Sequence, residues 1–332
     1  MPLTIHTSNR IENLVDALAA ILKQPLDSPF TPELIVMQSK GMQRWLAMEL
    51  AARFGVWANC RYPFPNALIY QLFQRVVPDV PVGDGFAPAV MTWQIYNILP
   101  EYAEQESCKP LRHYLADDRD ELKRFQLAQK IADTFDQYTL YRPDLLERWE
   151  RQGSGAEQDE AWQAALWQEL SRRGKGFHRG RLKQLFCTLA PSCPPEQCAL
   201  PERIALFGIS YLPAYHLEII AAVAAVTEVN LFLLSPTREY WSDIVSPKAS
   251  ARLAPEQREL RFEGNPLLAS LGRLGRDFSD MTLELGNLAQ REEDLYQEPA
   301  CSSLLQLLQS DILNLTGAEE GRGRKPVSRD DS

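Results

Sequence analysis

Apolar positions follow two different rhythms along this chain, and the change between them divides it. Residues 3–7 (LTIHT) predict a short strand. Ile11, Leu14, Val15, Leu18 and Leu22 then repeat at helical spacing, with Ser8 or Asn9 placed to cap the helix. The unit repeats. LIVMQS (34–39) is the continuous apolar run of a strand buried on both faces, and MQRWLAMELAARFG predicts a helix closed by Gly55. A third extended piece is expected at NCRYPFPNALI. From about 87 to 198 strand-like runs vanish and helical periodicity dominates, with Trp93, Trp149, Trp162 and Trp167 as core candidates. Strands return at 203–210 (RIALFGIS) and 229–235 (VNLFLLS), with a helix between them. Alternating strands and helices predict parallel strands joined by right-handed crossovers.

The expected architecture is an open α/β sheet interrupted by a helical domain. Residues 1–86 and 199–240 form the sheet domain, 87–198 the insertion, 241–316 a helical extension and 317–332 a charged linker. The polar stretch 151–160 (RQGSGAEQDE) is expected to be a mobile loop, and the charged end suggests a piece of a longer polypeptide.

Composition adds constraints. The 332 residues are 45% hydrophobic and 24% charged, enough for two or three domains, and the net charge is -9. An acidic body that touches nucleic acid must do so through local basic clusters. The six cysteines contain no C-x-x-C pair; Cys187, Cys193 and Cys198 are spaced too loosely for an ordinary zinc site, and reduced thiols are expected. No signal peptide and no run of about 18 apolar residues is visible. The expectation is a cytoplasmic protein with no membrane association and no cofactor.

Ligands of open α/β sheets bind beyond the carboxyl ends of the strands. The first strand leads into HTSNRIENL, which lacks the glycines and lysine of a phosphate-cradling loop. The strand at 204–209 ends in Gly208-Ile209-Ser210, where a magnesium-holding acid would stand. Neither H-E-x-x-H nor a complete nucleophile elbow occurs, and Asp117-Asp118 fits a solvated turn.

Three features remain for binding. RRGKGFHRGRLK (172–183) sets Arg172, Arg173, Lys175, Arg179, Arg181 and Lys183 around Phe177 and His178, which suits single-stranded nucleic acid; the plain alternative is a solvated loop. Gln38, Ser39, Lys40, Gln43 and Arg44 place amides and cations at a strand end, as base contacts require, or as a hydrated helix cap would. The helix ELKRFQLAQKIADTFDQYTLYRP carries an apolar stripe of Leu122, Phe125, Ala128, Ala132, Phe135 and Tyr138. Gln129, Asp133, Asp136 and Gln137 share another face, for base contacts or for water.

Together, SNRIENLVDAL, PELIVMQSKGMQRWLAMELAARFGVWANCRYPFPNALIY, LRHYLADDRD, FQLAQKIADTFDQYTLYRPD, AWQAALWQEL, GISYLPAYHLEII and NPLLASLGRLGRDF resemble the RecC family, gamma subunits of the bacterial RecBCD exonuclease V. The resemblance covers nearly the whole chain and corresponds to the N-terminal part of a longer subunit. It implies a superfamily 1 helicase-like, P-loop-type sheet that has lost ATP chemistry. Ser8-Asn9-Arg10 then occupies the phosphate-loop position, Phe207-Gly208-Ile209 lies near the lost acid, Gln38-Ser39 ends the strand that touches single-stranded DNA, and 87–198 is the helical domain 1B. It further implies RecB-like and RecD-like partners, duplex ends and unwound single strands as ligands, and the reading of a Chi sequence without catalysis. The Chi-reading positions would be Gln38, Lys40, Arg44, Phe64, Tyr70, Asp133, Thr134, Asp136, Arg142 and Arg179, with phosphate contacts at Arg172, Arg173, Lys175 and Arg181. This sequence departs from the family pattern at Lys40 (for a small hydroxyl residue), Phe64 (for leucine), Tyr70 (for tryptophan) and Thr134 (for leucine). A purely architectural assembly domain and an ATP-driven helicase fragment are the rival readings.

Overall fold

The computed structural model describes residues 3–105, 108–116, 121–152, 158–174, 177–193, 198–245, 251, 265–286 and 291–316. It divides into two compact units, Met1–Ile69 with Pro194–Ser332, and Tyr70–Cys193. Among the described residues no helix is long and apolar enough to cross a membrane.

The first unit is built on a six-stranded parallel sheet in the order β3-β2-β4-β5-β1-β6. The strands are β1 (Leu3–Ser8), β2 (Glu33–Val36), β3 (Cys60–Arg61), β4 (Arg203–Phe207), β5 (Glu228–Leu234) and β6 (Arg291–Asp294). Helices α1 (Ile11–Leu22) and α2 (Lys40–Phe54) follow β1 and β2, and α10 (Ala214–Ala224) joins β4 to β5. β4 is buried at every position, as a central strand covered on both faces must be. Leu14, Val15 and Leu18 of α1 pack with Leu46 and Leu50 of α2 over Ile35, Phe207 and Phe232. Burying each such side chain contributes about 1.5–3 kcal/mol.

Two parts of this sheet differ from the sequence expectation. The extended piece at 59–69 shrinks to Cys60–Arg61, because Pro63 and Pro65 lack the N–H a strand needs and Pro65 instead opens helix α3 (Pro65–Val76). The tail, expected to be helical, contains β6 (REED) as well as α11 (Pro266–Leu271), α12 (Arg273–Gly286) and α13 (Leu304–Leu313). β6 has no apolar run. It is held by backbone pairing to β1 and by buried His6, whose Nδ1 lies 2.8 Å from a Glu293 carboxylate oxygen. The His6 ring stacks on Phe232 at 4.6 Å between centroids.

The second unit is helical: α4 (Pro88–Ala103), α5 (Lys109–Leu115), α6 (Leu122–Tyr141), α7 (Pro143–Gln152), α8 (Gln158–Arg173) and α9 (Arg179–Leu189). Its core gathers Phe86, Ile95, Leu99, Phe135, Trp149 and Trp167. Trp162 packs against that core, but Trp93 does not enter it and is 57% exposed, flanked by Tyr96 and Phe125. In α6 the apolar stripe is buried from Ala128 to Phe135, whereas Leu122 at its start is exposed. The expected polar loop at 151–160 falls mainly on 153–157, and the Asp117-Asp118 turn on 117–120, both outside the described residues. Cys193 and Cys198 are disulfide-bonded, which corrects the expectation of six reduced thiols; Cys60, Cys108, Cys187 and Cys301 are free.

Candidate nucleic-acid interface

In the sheet unit, two strand–helix turns lie at the carboxyl edge of the sheet. At the β2–α2 turn, Ser39 caps α2 by accepting from the Met42 N–H at 3.1 Å. Gln38 donates from Nε2 to the Tyr211 carbonyl at 2.6 Å and accepts from the Ser210 N–H at 3.4 Å. Its amide therefore ties this turn to the loop after β4. Gly208 in that loop has φ +64, and a Cβ there would lie 3.0 Å from Met42 Cγ, so glycine meets both a left-handed backbone and a close approach. Lys40 and Arg44, one helical turn apart, are exposed, and neither has an ion-pair partner among the described residues. Phe64 is 45% exposed.

The β1–α1 turn is different. Neither Ser8 nor Asn9 caps α1 as the sequence suggested; the cap position falls on Arg10, without a side-chain cap. Their side chains turn instead to the segment that follows β6. Ser8 Oγ donates to the Leu295 carbonyl at 2.8 Å, and Asn13 Nδ2 donates to the same oxygen at 2.9 Å. Asn9 Nδ2 donates to the Gln297 carbonyl at 2.9 Å, and its Oδ1 accepts from the Gln297 N–H at 3.0 Å. Thus the polar side chains of the β1–α1 turn are bonded to the protein's own backbone carbonyls after β6. A cavity of about 720 Å³ remains beside this closure, lined by Arg10, Glu12, Gln297 and Glu298 among others.

The remaining expected contacts lie in the helical unit. Tyr70 presents its hydroxyl to the carbonyls of Pro81 and Gly83, each at 2.7 Å. Burial and then Asp84 raise its ionisation above the usual tyrosine value. Arg179 spans two carboxylates, 2.8 Å from Asp136 and 3.4 Å from Asp84. Burial pushes the Asp136 carboxyl up; Arg179 opposes this, Asp84 and Asp133 add to it, and the balance is upward. Asp133 is exposed, and Thr134 Oγ1 is turned back to the Lys130 carbonyl at 2.8 Å. Arg142, at the end of α6, lies 5.9 Å from the centroid of the Tyr138 ring.

The basic run is largely compensated from within. Glu169 takes both Arg172, through two hydrogen bonds of 2.7 and 2.9 Å, and Arg173, at 2.6 Å. The Arg172 and then the Arg173 hydrogen bonds hold the Glu169 carboxyl down at about 2. His178 is buried and caps α9 by accepting from the Arg181 N–H at 3.3 Å, with its Nε2 3.0 Å from Glu150. Burial alone would raise Glu150, but hydrogen bonds from His178, Ser171 and Trp167 bring it below the ordinary carboxylate value. Lys175 lies outside the described residues. Spacing could reveal Glu169, three and four residues before Arg172 and Arg173, but not Asp84, which is 95 residues from Arg179.

Comparison with known proteins gives one answer throughout. The family model described as "RecC, N-terminal domain" matches residues 3–315. RecBCD enzyme subunit RecC of Escherichia coli K12 is 38% identical over 369 residues, covering 99% of this chain and 32% of that relative. The subunits of the same name from Haemophilus influenzae and Mycolicibacterium smegmatis are each 31% identical, covering 94% and 99% of this chain but 33% and 29% of their own lengths. The chain therefore spans about a third of the length of the curated relatives it matches. With the parallel α/β sheet and a family match over almost every residue, the chain belongs to the RecC family.

Proposed function

We propose that this chain is a non-catalytic, DNA-guiding and Chi-sensing part of a RecBCD-type helicase–nuclease, acting in double-strand-break repair and recombination with RecB-like and RecD-like partners in the cytoplasm. In this reading the sheet unit descends from a P-loop helicase domain 1A, and the helical unit corresponds to its domain 1B.

The observation that carries the loss of catalysis is the closure of the β1–α1 turn by Leu295 and Gln297. A phosphate at a helix start needs free backbone N–H groups and a cation. Here the side chains beside them serve an internal contact, and no lysine stands in the turn. That argues against the ATP-driven alternative. The DNA contact is best supported at the β2–α2 turn, where Lys40 and Arg44 offer uncompensated charge and Gln38 fixes the loop behind them, with Phe64 as a further exposed aromatic face. Charge pairs with phosphate and an aromatic face stacks on a base.

The purely architectural reading has one observation in its favour: Arg172, Arg173 and Arg179 already hold internal carboxylates. The discriminating experiment is charge reversal at Lys40 and Arg44 (K40E/R44E) in the assembled complex. Single-strand affinity is expected to fall at least about tenfold at low salt, and the salt-dependence slope by about 2. Unchanged affinity and slope would leave the architectural reading standing.

A further inference from the structure

In the helical unit, an aromatic cluster lies at the surface where α4 passes the start of α6. Trp93 of α4 is 57% exposed, although burying an indole is among the more favourable things a fold can do. The ring is nonetheless held. Its centroid is 5.6 Å from Tyr96 and 5.4 Å from Phe125, at interplanar angles of 77° and 47°, so neither neighbour lies parallel on its face. Tyr96 is fixed in turn: its hydroxyl donates to Glu121 at 2.5 Å, and the Arg124 guanidinium lies 3.9 Å from its ring centroid. Arg124 also pairs with Glu121 at 3.0 Å, so the one carboxylate beside the rings is compensated. A braced ring that reaches into water is pre-organised for stacking, because binding costs it little rotamer freedom.

The surroundings decide what stacks there. Phe125, Gln129 and Asp133 follow one another at i, i+4 along α6, so the rings open the same row that carries Asp133, one of the expected Chi-reading positions. The step from Phe125 to Asp133 is about 12 Å along the helix axis. Gln126, Gln129 and Lys130 are exposed beside this row. Among the described residues, the exposed large apolar side chains of α4 and the first half of α6 are Val90, Trp93 and Leu122. That is too little aliphatic surface for the centre of a protein interface. An open ring bordered by amides and a lysine is instead the combination that holds bases and phosphates.

We propose that Trp93 is a stacking platform for a base of single-stranded nucleic acid, outside the expected reading positions, with Lys130 meeting a phosphate of the same strand. Every base has a π face, so a contact of this kind is blind to sequence. It grips a strand in line with Asp133 without reading it. The inference rests on the DNA-guiding reading and adds to it a separate, sequence-independent hold within the helical unit.

The test titrates the purified chain with oligothymidylate and follows both affinity and tryptophan emission. Trp149 and Trp167 are buried, so the exposed indole is expected to be quenched on binding. Trp93→Ala is expected to remove that quenching and to weaken binding about tenfold at low and high salt alike. Trp93→Phe keeps a ring in place and should retain most of the affinity, which separates stacking from any loss of packing. Lys130→Glu is expected to weaken binding several-fold at low salt and little at high salt. Unchanged affinity and quenching in Trp93→Ala overturn the proposal. K40E/R44E in the same titration tells its failure from that of the wider reading: if this pair lowers affinity and Trp93→Ala does not, the platform alone falls. If the native chain binds no oligothymidylate, both fall. If Trp93→Ala spares oligothymidylate binding but breaks association with a RecB-like subunit, the ring belongs to a protein interface and the proposal is overturned.

Discussion

The β1–α1 and β2–α2 turns occupy equivalent places in one parallel sheet, each where a strand gives way to a helix. The first is closed: Ser8, Asn9 and Asn13 bind the carbonyls of Leu295 and Gln297. The second is open: Ser39 satisfies the helix start locally, and Lys40 and Arg44 face solvent. The same backbone geometry can be tied down or left exposed by a handful of polar side chains. Later chain reaches both turns; what separates them is that it engages Ser8, Asn9 and Asn13 at the first and Gln38 at the second, which leaves Lys40 and Arg44 in solvent.

Three substitutions sharpen that contrast, in decreasing order of effect. Asn9→Ala removes two hydrogen bonds that join the closed turn to Gln297, and is expected to cost about 2 kcal/mol in urea unfolding. Amide exchange should accelerate over 295–300 and not over 38–44; acceleration at both turns would mean they are coupled and the contrast is false. Ser39→Ala removes a purely local cap, and is expected to cost about 1 kcal/mol while leaving exchange at 295–300 unchanged. Glu169→Gln probes the compensated basic run. Because Arg172 and then Arg173 hold the Glu169 carboxyl down at about 2, its contribution is present above the ordinary carboxylate value and disappears as pH falls toward 2. Arg172 is well exposed, so the loss at neutral pH is expected to be the smallest of the three. Native and variant unfolding midpoints should converge at low pH; a gap that persists there would assign the effect to packing instead.

The parts of the fold legible in the sequence were those governed by burial. β2 and β4 carry continuous apolar runs because both faces of a central strand are covered, β5 does so but for buried Asn230, and α1 shows its buried stripe directly. β6 was illegible for the converse reason. Its REED sequence buries almost nothing, and its position comes from backbone pairing and from Glu293 meeting His6. Trp93 shows the limit of residue size as a guide, since a large ring can be accommodated by two aromatic neighbours at the surface. At the candidate interface, Lys40 and Arg44 could be placed from strand-end position alone. The basic run was legible as composition, and Glu169 stands at helical pair spacing from Arg172 and Arg173, but the neutralisation of Arg179 by Asp84 and Asp136 was not legible, because those acids come from other parts of the chain.

The clasp between Asn9 and Gln297 joins residues 288 positions apart. β1 lies between β5 and β6, so its backbone has no partner on either side until the chain has been made past residue 228, and its end stays open until about 297. The helical unit, Tyr70–Cys193, draws its core from contacts much closer in sequence. During vectorial synthesis the inserted unit can therefore complete its core first, while the first strand waits for the last. The contact that closes the β1–α1 turn thus ties the first strand to one of the last pieces of chain to be made, a pairing of the high sequence separation that slows folding.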